Sequence, residues 1–409
     1  MTTSVGGVTP ADYRERILAD LEPMPAYPQP LMDCLGLAVA EDIHAEVSLP
    51  GFDNSSMDGY AVRYADVATA SAEAPVRLPV LGEIGAGQAS LLALPPGAAA
   101  KIMTGAPLPT GADTVVPYEW TDRGVAEVEI RQTPNEAQHV RYAGEDVAKG
   151  DLLIPAGTVL GPRHLGLIAS VGRAQVAVRP RPRVVVLSTG TELREPGESL
   201  GHDSIYDGNS FLLAAAARRA GAIAYRVGIV PDEPRAFMTA LSDQLVRADL
   251  VVTSGGVSMG DYDVVKEALT PEGVWFGPVK MQPGKPQGFG RIGEERVPVL
   301  CLPGNPVSSF VSFELFVLPA LRRLMGMTPE ARPVRRAALT HAVRSPAGKE
   351  QYLRGWYDGS RAGVSPIGGP GSHLIGDLAG ANCLIVIPPE TTALDQGAEV
   401  DVLELDVEF

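Results

Sequence analysis

The stretch PRVVVLSTGTELREPGESLGHDSIYDGNSFLLAAAARRAG, residues 182–221, decides the fold. Its VVVL (184–187) is a short apolar run suited to a strand buried on both faces of a parallel sheet. NSFLLAAAARRAG (209–221) reads as the helix that follows, with Asn209 as cap and Gly221 past its end. The alternation continues downstream. AIAYRVGIV (222–230) is a strand, DEPRAFMTALSDQLVRA (232–248) a helix and DLVVTS (249–254) a strand. VWFGPVKM (274–281) and VPVLCLP (297–303) add strands, and PVSSFVSFELFVLPALRRLMG (306–326) reads as one long helix. Residues 181–330 therefore predict a doubly wound α/β domain with a mostly parallel sheet.

Outward from this block the pattern changes. Upstream, ADYRERILADLEP (11–23) is a short helix stopped by prolines at 23, 25, 28 and 30. Residues 35–141 are short apolar segments cut by Gly and Pro, such as VRLPVLGEIGAG and DTVVPYEW, and predict a β-rich region. Turns and a helix, PRHLGLIASVG (162–172), follow, with Pro162 near the helix start. Beyond Pro333 the helical period vanishes, and ANCLIVIPP and AEVDVLEL suggest a small all-β domain over 331–409.

At 409 residues, two or more domains are expected. Gly 45 and Pro 36 together make up roughly a fifth of the chain, against about 12% usually, and spread along it as turns and sharp loops. The net charge of −15 leaves no basic stripe for a nucleic-acid partner. It still allows an anionic substrate, because screening over roughly 8 Å makes the local lining decisive. Cys34, Cys301 and Cys383 form neither a disulfide framework nor a CxxC pair, and the six histidines show no HxxxH spacing. This cysteine usage points to a reducing compartment, so a cytoplasmic location is expected. The N-terminus lacks a basic-then-apolar signal and no apolar run reaches about 18 residues, so no membrane association is expected.

Three loops follow predicted strands: STGTEL (188–193), SGGVSMGDYD (254–263) and PGNPVSS (303–309). Carboxyl ends of parallel strands share one edge, so these loops should meet in one crevice. Ser188, Gly190, Ser254, Gly255, Gly256, Pro303, Gly304 and Pro306 are the candidate ligand contacts. Glycines admit a ligand to the backbone, and hydroxyls and amides bind phosphate oxygens. The helix after PGNP adds a dipole end worth about 0.3–1 kcal/mol to an anion. Any one such loop is an ordinary turn; three at one edge point to an anionic ligand. Glu192 and Asp263, with Asp207 in IYDGN, would repel phosphate unless a divalent cation such as Mg²⁺ bridged them. The competing readings are a helix cap for Asp207 and a loop-stabilising Asx bond for Asp263.

Read together, DNSSMDGYAV (53–62), MTGAPLPTGADTVVPYE (103–119), GED (144–146), STGTEL, IYDGN (205–209), SGGVSMGDYD, PGKP (283–286), LPGNPVSSF (302–310), GSH (371–373) and ANCLIVIP (381–388) resemble the MoeA family. That family includes the E domain of gephyrin, and its motifs run in family order from about Tyr13 to the C-terminus. The resemblance implies a linker domain of two segments (1–34 and 142–180), an inserted β-rich domain (35–141), the α/β pterin-binding domain and a C-terminal β-barrel. It further implies a homodimer with sites built between subunits, and a molybdenumtransferase reaction. In it, adenylyl-molybdopterin and molybdate give molybdenum cofactor and AMP, aided by Mg²⁺. A transient contact with the molybdopterin adenylyltransferase is also implied. Carried over by motif, Asp58, Glu192, Asp263 and Lys285 are the catalytic candidates, with Glu192 and Asp263 as Mg²⁺ ligands. Thr104, Asp146, Asp207, Arg354, Ser372, Pro303 and Pro306 join the substrate-binding set. Asp58, an ordinary turn residue on sequence alone, is implied to serve the other subunit.

Two positions depart from the family pattern. Thr191 stands where relatives often carry an acidic residue before Glu192. Gln282 stands where many carry a lysine before PGKP, which puts more weight on Lys285. Three alternatives stay open at this point: a tungstate-inserting paralogue, an ATP-dependent molybdopterin adenylyltransferase, and a non-catalytic scaffold. The inserted and C-terminal domains and GSH weigh against the adenylyltransferase. No long linker or aromatic-rich segment supports the scaffold.

Overall fold

The structure, a computed structural model, describes residues 7–87, 92–257 and 263–409. Its central sheet has six strands: β1 (Arg183–Thr189), β2 (Ile223–Val230), β3 (Leu250–Ser254), β4 (Trp275–Pro278), β5 (Pro286–Ile292) and β6 (Val297–Leu302). Their order is β2-β1-β3-β6-β5-β4. β2, β1, β3 and β6 run parallel; β5 is antiparallel to both β6 and β4. Val184, Val186, Leu250, Val252, Leu300 and Leu302 face a core shared with helix Asn209–Arg219 and the helices after Pro306. The alternate residues Val185, Leu187, Val251, Val299 and Cys301 face Phe237 and Leu241 of helix Pro234–Leu245 and Val265 and Leu269 of helix Val264–Leu269. Helices on both faces explain why these strands read as unbroken apolar runs, and the doubly wound arrangement expected from sequence is present.

Three local differences have physical causes. β5, PQGFGRI, carries no strand signature because its glycines yield room: a Cβ on Gly288 would meet Phe276 at 2.5 Å, and one on Gly290 would meet Val274 at 2.7 Å. The long helix expected at 306–326 is interrupted: Pro306–Ser312 leads into a π-helical stretch, Phe313–Val317, and then Leu318–Leu324. Pro319 lacks an N–H, so the regular ladder cannot run through that point. Asn209 does not cap its helix; Gly208 holds the cap position, and Asp207 accepts from the Ser210 amide at 3.0 Å instead.

The inserted region forms a five-stranded sheet in the order Thr114–Pro117, Gly59–Val62, Ala99–Ile102, Val76–Ile84, Glu127–Ile130. Residues 35–49, read from sequence with this insert, pair instead with the later segment. Ile43–His44 pairs with Leu152–Ile154, and Leu37 and Val39 share a core with Leu160, Ile168 and Val178. The N-terminal helix, Pro10–Ala19, docks on the α/β domain, where the Tyr13 ring meets Phe316 edge-on at 4.8 Å. At the C-terminus, Glu350–Asp358, Gly363–Pro366, Val334–Leu339, Glu399–Glu404 and Cys383–Ile387 close into a barrel, the last strand pairing with the first. Met281–Gln282 runs parallel to Glu350–Gln351, so the PGKP loop is tied to this barrel.

Candidate active site

A crevice of about 870 Å³ opens at the carboxyl ends of β1, β3 and β6. The first loop contributes Ser188, Gly190 and Glu192, the second Ser254, Gly255, Gly256 and Asp263, and the third Pro303, Gly304 and Pro306. Asp207 joins them, with Ile205 and Tyr206 from a short ribbon. Gly256 cannot be replaced without cost: its φ is +64°, and a Cβ there would meet Val265 at 2.7 Å. The second and third loops are cross-braced by Asn209, whose Nδ2 donates to Ser254 Oγ at 2.9 Å and to the Gly304 carbonyl at 2.6 Å. That bridging role is why Asn209 is unavailable as a cap. Ser309 continues the brace, donating to the Pro303 carbonyl and lying 3.3 Å from Ser254 Oγ.

The lining is acidic. Asp207 is fully engaged, accepting from Ser188 Oγ at 3.2 Å, from the Ser210 amide and from Ser210 Oγ at 2.5 Å. Its cap and crevice roles coincide in one residue. Asp263 differs. It precedes helix Val264–Leu269 yet makes no capping bond, and its Oδ2 is buried with no hydrogen-bond partner among the described residues. Among the described residues the Asx reading therefore has no bond to rest on. A buried carboxylate oxygen without a donor is costly unless a cation or ligand meets it. Glu192 is exposed, with its carboxylate folded over Gly190. Sequence reasoning missed Asp232, which lines the crevice and accepts from the Thr191 amide at 2.9 Å. Its position just past β2, on the same sheet edge, was the available signal. Among the described residues no three His, Cys, Asp or Glu side chains form a closed metal cage. Glu192 and Asp263 fit an ion that keeps waters and substrate oxygens in its shell, as Mg²⁺ does.

The remaining candidates do not line the crevice. Lys285 is exposed beside Pro286, which does line it. Arg354 is 3% exposed, and its terminal nitrogens donate to the carbonyls of Gly371, at 2.9 Å, and Gly369. Burial lowers its pKa, the nearby Asp377 acting the other way, and its Nε has no partner among the described residues. It holds the loop carrying Ser372, whose carbonyl accepts from Val307 at 3.0 Å beside the third loop. Asp58, Thr104 and Asp146 belong to the other end of the chain's architecture. Thr104 donates to Asp58 through its amide and its hydroxyl. The pairing of Asn54–Ser55 with Val140–Arg141 brings the segments bearing Asp58 and the exposed Asp146 together. The three cysteines are buried, and burial pushes the Cys301 thiol up to about 12, so no thiol serves the crevice.

An acidic, glycine-lined crevice at the strand ends of a doubly wound sheet, flanked by an inserted β sheet and a C-terminal barrel, defines a multidomain enzyme class handling phosphorylated ligands. The chain belongs to the MoeA family. Residues 8–172 match the MoeA N-terminal region (domain I and II), 185–323 the probable molybdopterin binding domain, and 336–405 the MoeA C-terminal region (domain IV). Molybdopterin molybdenumtransferase 2 of Mycobacterium tuberculosis is 46% identical over 92% of this chain and 94% of its own. The molybdopterin molybdenumtransferase of Haemophilus influenzae is 36% identical over 91% and 92%. A MoeA protein from Pyrococcus horikoshii superposes with a TM-score of 0.86 at 32% identity, covering 98% of this chain and 100% of its own.

Proposed function

We propose that this chain is a molybdopterin molybdenumtransferase, which inserts molybdate into adenylyl-molybdopterin and releases AMP. The observation that carries the reading is the convergence of the three strand-end loops on a crevice whose Asp263 carries an unpaired, buried oxygen. Ser188, Ser254 and the backbone of Gly255, Gly256 and Gly304 bind the phosphate-bearing part of the substrate. Lys285, at the rim, attracts the molybdate dianion, and Ser372 offers a hydroxyl beside the third loop. Held by Glu192 and Asp263, Mg²⁺ would offset phosphate charge and act as a Lewis acid on the phosphoryl oxygen. No cysteine or histidine is needed, because the dithiolene brings its own sulfur ligands.

Asp58, Thr104 and Asp146 complete the site of a second copy in a homodimer, since they do not line the crevice of their own chain. A cytoplasmic setting suits the free cysteines and the biosynthetic role; among the described residues no helix is long and apolar enough to cross a membrane. The deciding experiment is reconstitution with adenylyl-molybdopterin and either molybdate or tungstate, measuring AMP. Release with molybdate and no ATP consumption is expected. ATP consumption would indicate an adenylyltransferase, and a preference for tungstate a tungsten paralogue.

A further inference from the structure

One wall of the crevice is a ribbon formed by Leu193–Arg194 paired with Ile205–Tyr206. Inside the loop its far strand is anchored by the amides of Ile205, to the Glu192 carbonyl, and Asp207, to the Arg194 carbonyl, both at 2.9 Å, and by the Tyr206 hydroxyl, which donates to the Glu198 carbonyl at 2.8 Å. Its ties to the sheet are made by side chains: Asp207 accepts from Ser188 Oγ of β1 at 3.2 Å, and Arg226 adds a second tie from β2. Arg226, on the edge strand β2, donates through Nε to Ser210 Oγ at 2.6 Å and through Nη2 to both carboxylate oxygens of Glu195, at 2.6 Å in the case of Oε1. Its guanidinium lies 3.9 Å from the Phe211 ring centroid. Ser210 in turn donates to Asp207.

β2 is bent at this point. Val186 pairs with Arg226 but Ser188 pairs with Ile229, so β2 carries one extra residue, and Gly228 adopts φ +87°. Bulges of this kind re-aim side chains next to functional sites. Glu195 Oε1 lies 3.6 Å from where a Gly228 Cβ would sit, so the bulge also admits the carboxylate.

We infer that Arg226 is a positioning residue: it latches the ribbon bearing Ile205 and Tyr206 to the sheet through Glu195 and fixes Asp207 through Ser210. A planar guanidinium can serve two partners and an aromatic face at once, which a lysine cannot. The inference rests on the reading of this crevice as the molybdopterin site, and its test separates the two. Full-length Arg226→Met and Arg226→Lys are compared with wild type by amide hydrogen exchange without ligand and by molybdopterin binding.

In Arg226→Met the amides of Ile205 and Asp207 should exchange about tenfold faster while those of β1 and β3 keep their rates. The Kd for molybdopterin should rise about tenfold, with Arg226→Lys intermediate in both. If the methionine variant does not fold, the lysine variant carries the same two readings at smaller amplitude. Unchanged exchange at 205 and 207 overturns the latch, and so does an increase spread evenly over β1, β2 and β3. If wild type fails to bind molybdopterin while the local exchange shift appears, the latch stands and the functional reading falls.

Discussion

Thr104 grips one oxygen of Asp58 twice, its amide donating to Oδ1 at 2.7 Å and its hydroxyl to the same atom at 2.8 Å. Both bonds favour the ionised form, the amide bond more, and lower the Asp58 pKa. A depressed carboxylate pKa contributes stability above its unfolded pKa of about 3.9 and loses it as pH falls through the folded value. Asp58 therefore stays ionised to a lower pH than an ordinary aspartate. Thr104→Ala removes the hydroxyl bond and keeps the amide bond. A carboxyl titration followed by NMR should place Asp58 higher in the variant than in wild type, yet still below an ordinary aspartate. Identical titrations would mean the hydroxyl bond does not form in solution.

The parts of this molecule legible in the sequence are those where one residue has one job. VVVL, DLVVTS and VPVLCLP declare a buried parallel sheet because both their faces are covered, and the loops after them follow by topology. β5 is illegible because its character lies in its neighbours: Gly288 and Gly290 are small so that Phe276 and Val274 can lie against them. Asn209 reads as a cap because caps are local, while its actual partners, Ser254 and Gly304, are distant in sequence. Asp232 was missed for the same reason. Asp58 and Arg354 carried no signal beyond family resemblance, since a turn aspartate and a barrel arginine have no pattern of their own.

A mixed-dimer experiment tests the shared site. Asp58→Asn and Asp263→Asn variants should each be strongly impaired alone. If Asp58 serves the partner's crevice, a hybrid dimer of the two keeps one site with both carboxylates. Random mixing makes half the dimers hybrid, so about a quarter of wild-type activity should return after subunit exchange. No recovery in demonstrably hybrid dimers would place Asp58 in the site of its own chain.

Asp263 provides the metal test. Its unpaired, buried Oδ2 is the strongest invitation to a cation in the crevice. An amide keeps the shape but removes the charge, so Asp263→Asn should raise the Mg²⁺ concentration needed for half-maximal AMP release and leave the thermal midpoint near wild type. Each tenfold loss of kcat/KM at fixed Mg²⁺ corresponds to about 1.4 kcal/mol of transition-state stabilisation. Superimposable Mg²⁺ titrations would remove this carboxylate from any metal role.

The family resemblance implies both Lys285 and Arg354 as site residues, and their environments separate them. The Lys285 ammonium is exposed and makes no ion pair among the described residues, so it is free to meet an anion. Gln282 adds no charge beside it, and its amide oxygen accepts from Gln351 Nε2 at 3.2 Å. Lys285→Ala should raise the molybdate concentration giving half-maximal AMP release while leaving the rate at saturating molybdate nearly unchanged. Arg354 is already committed to the carbonyls of Gly369 and Gly371, which orient the loop bearing Ser372. Lysine at this position satisfies one carbonyl and strands the other, at a cost of about 1–3 kcal/mol for a buried unpaired group. Arg354→Lys should therefore lower thermal stability and the saturated rate together. Molybdate titrations of the two variants, beside their melting curves, decide the matter. If Arg354→Lys shifted only the half-saturation point and kept its stability, Arg354 would be a direct ligand whose unpaired Nε faces the oxyanion. If Lys285→Ala left the titration unmoved, the lysine would be a solvated loop residue and the dianion would depend on backbone and hydroxyl donors alone.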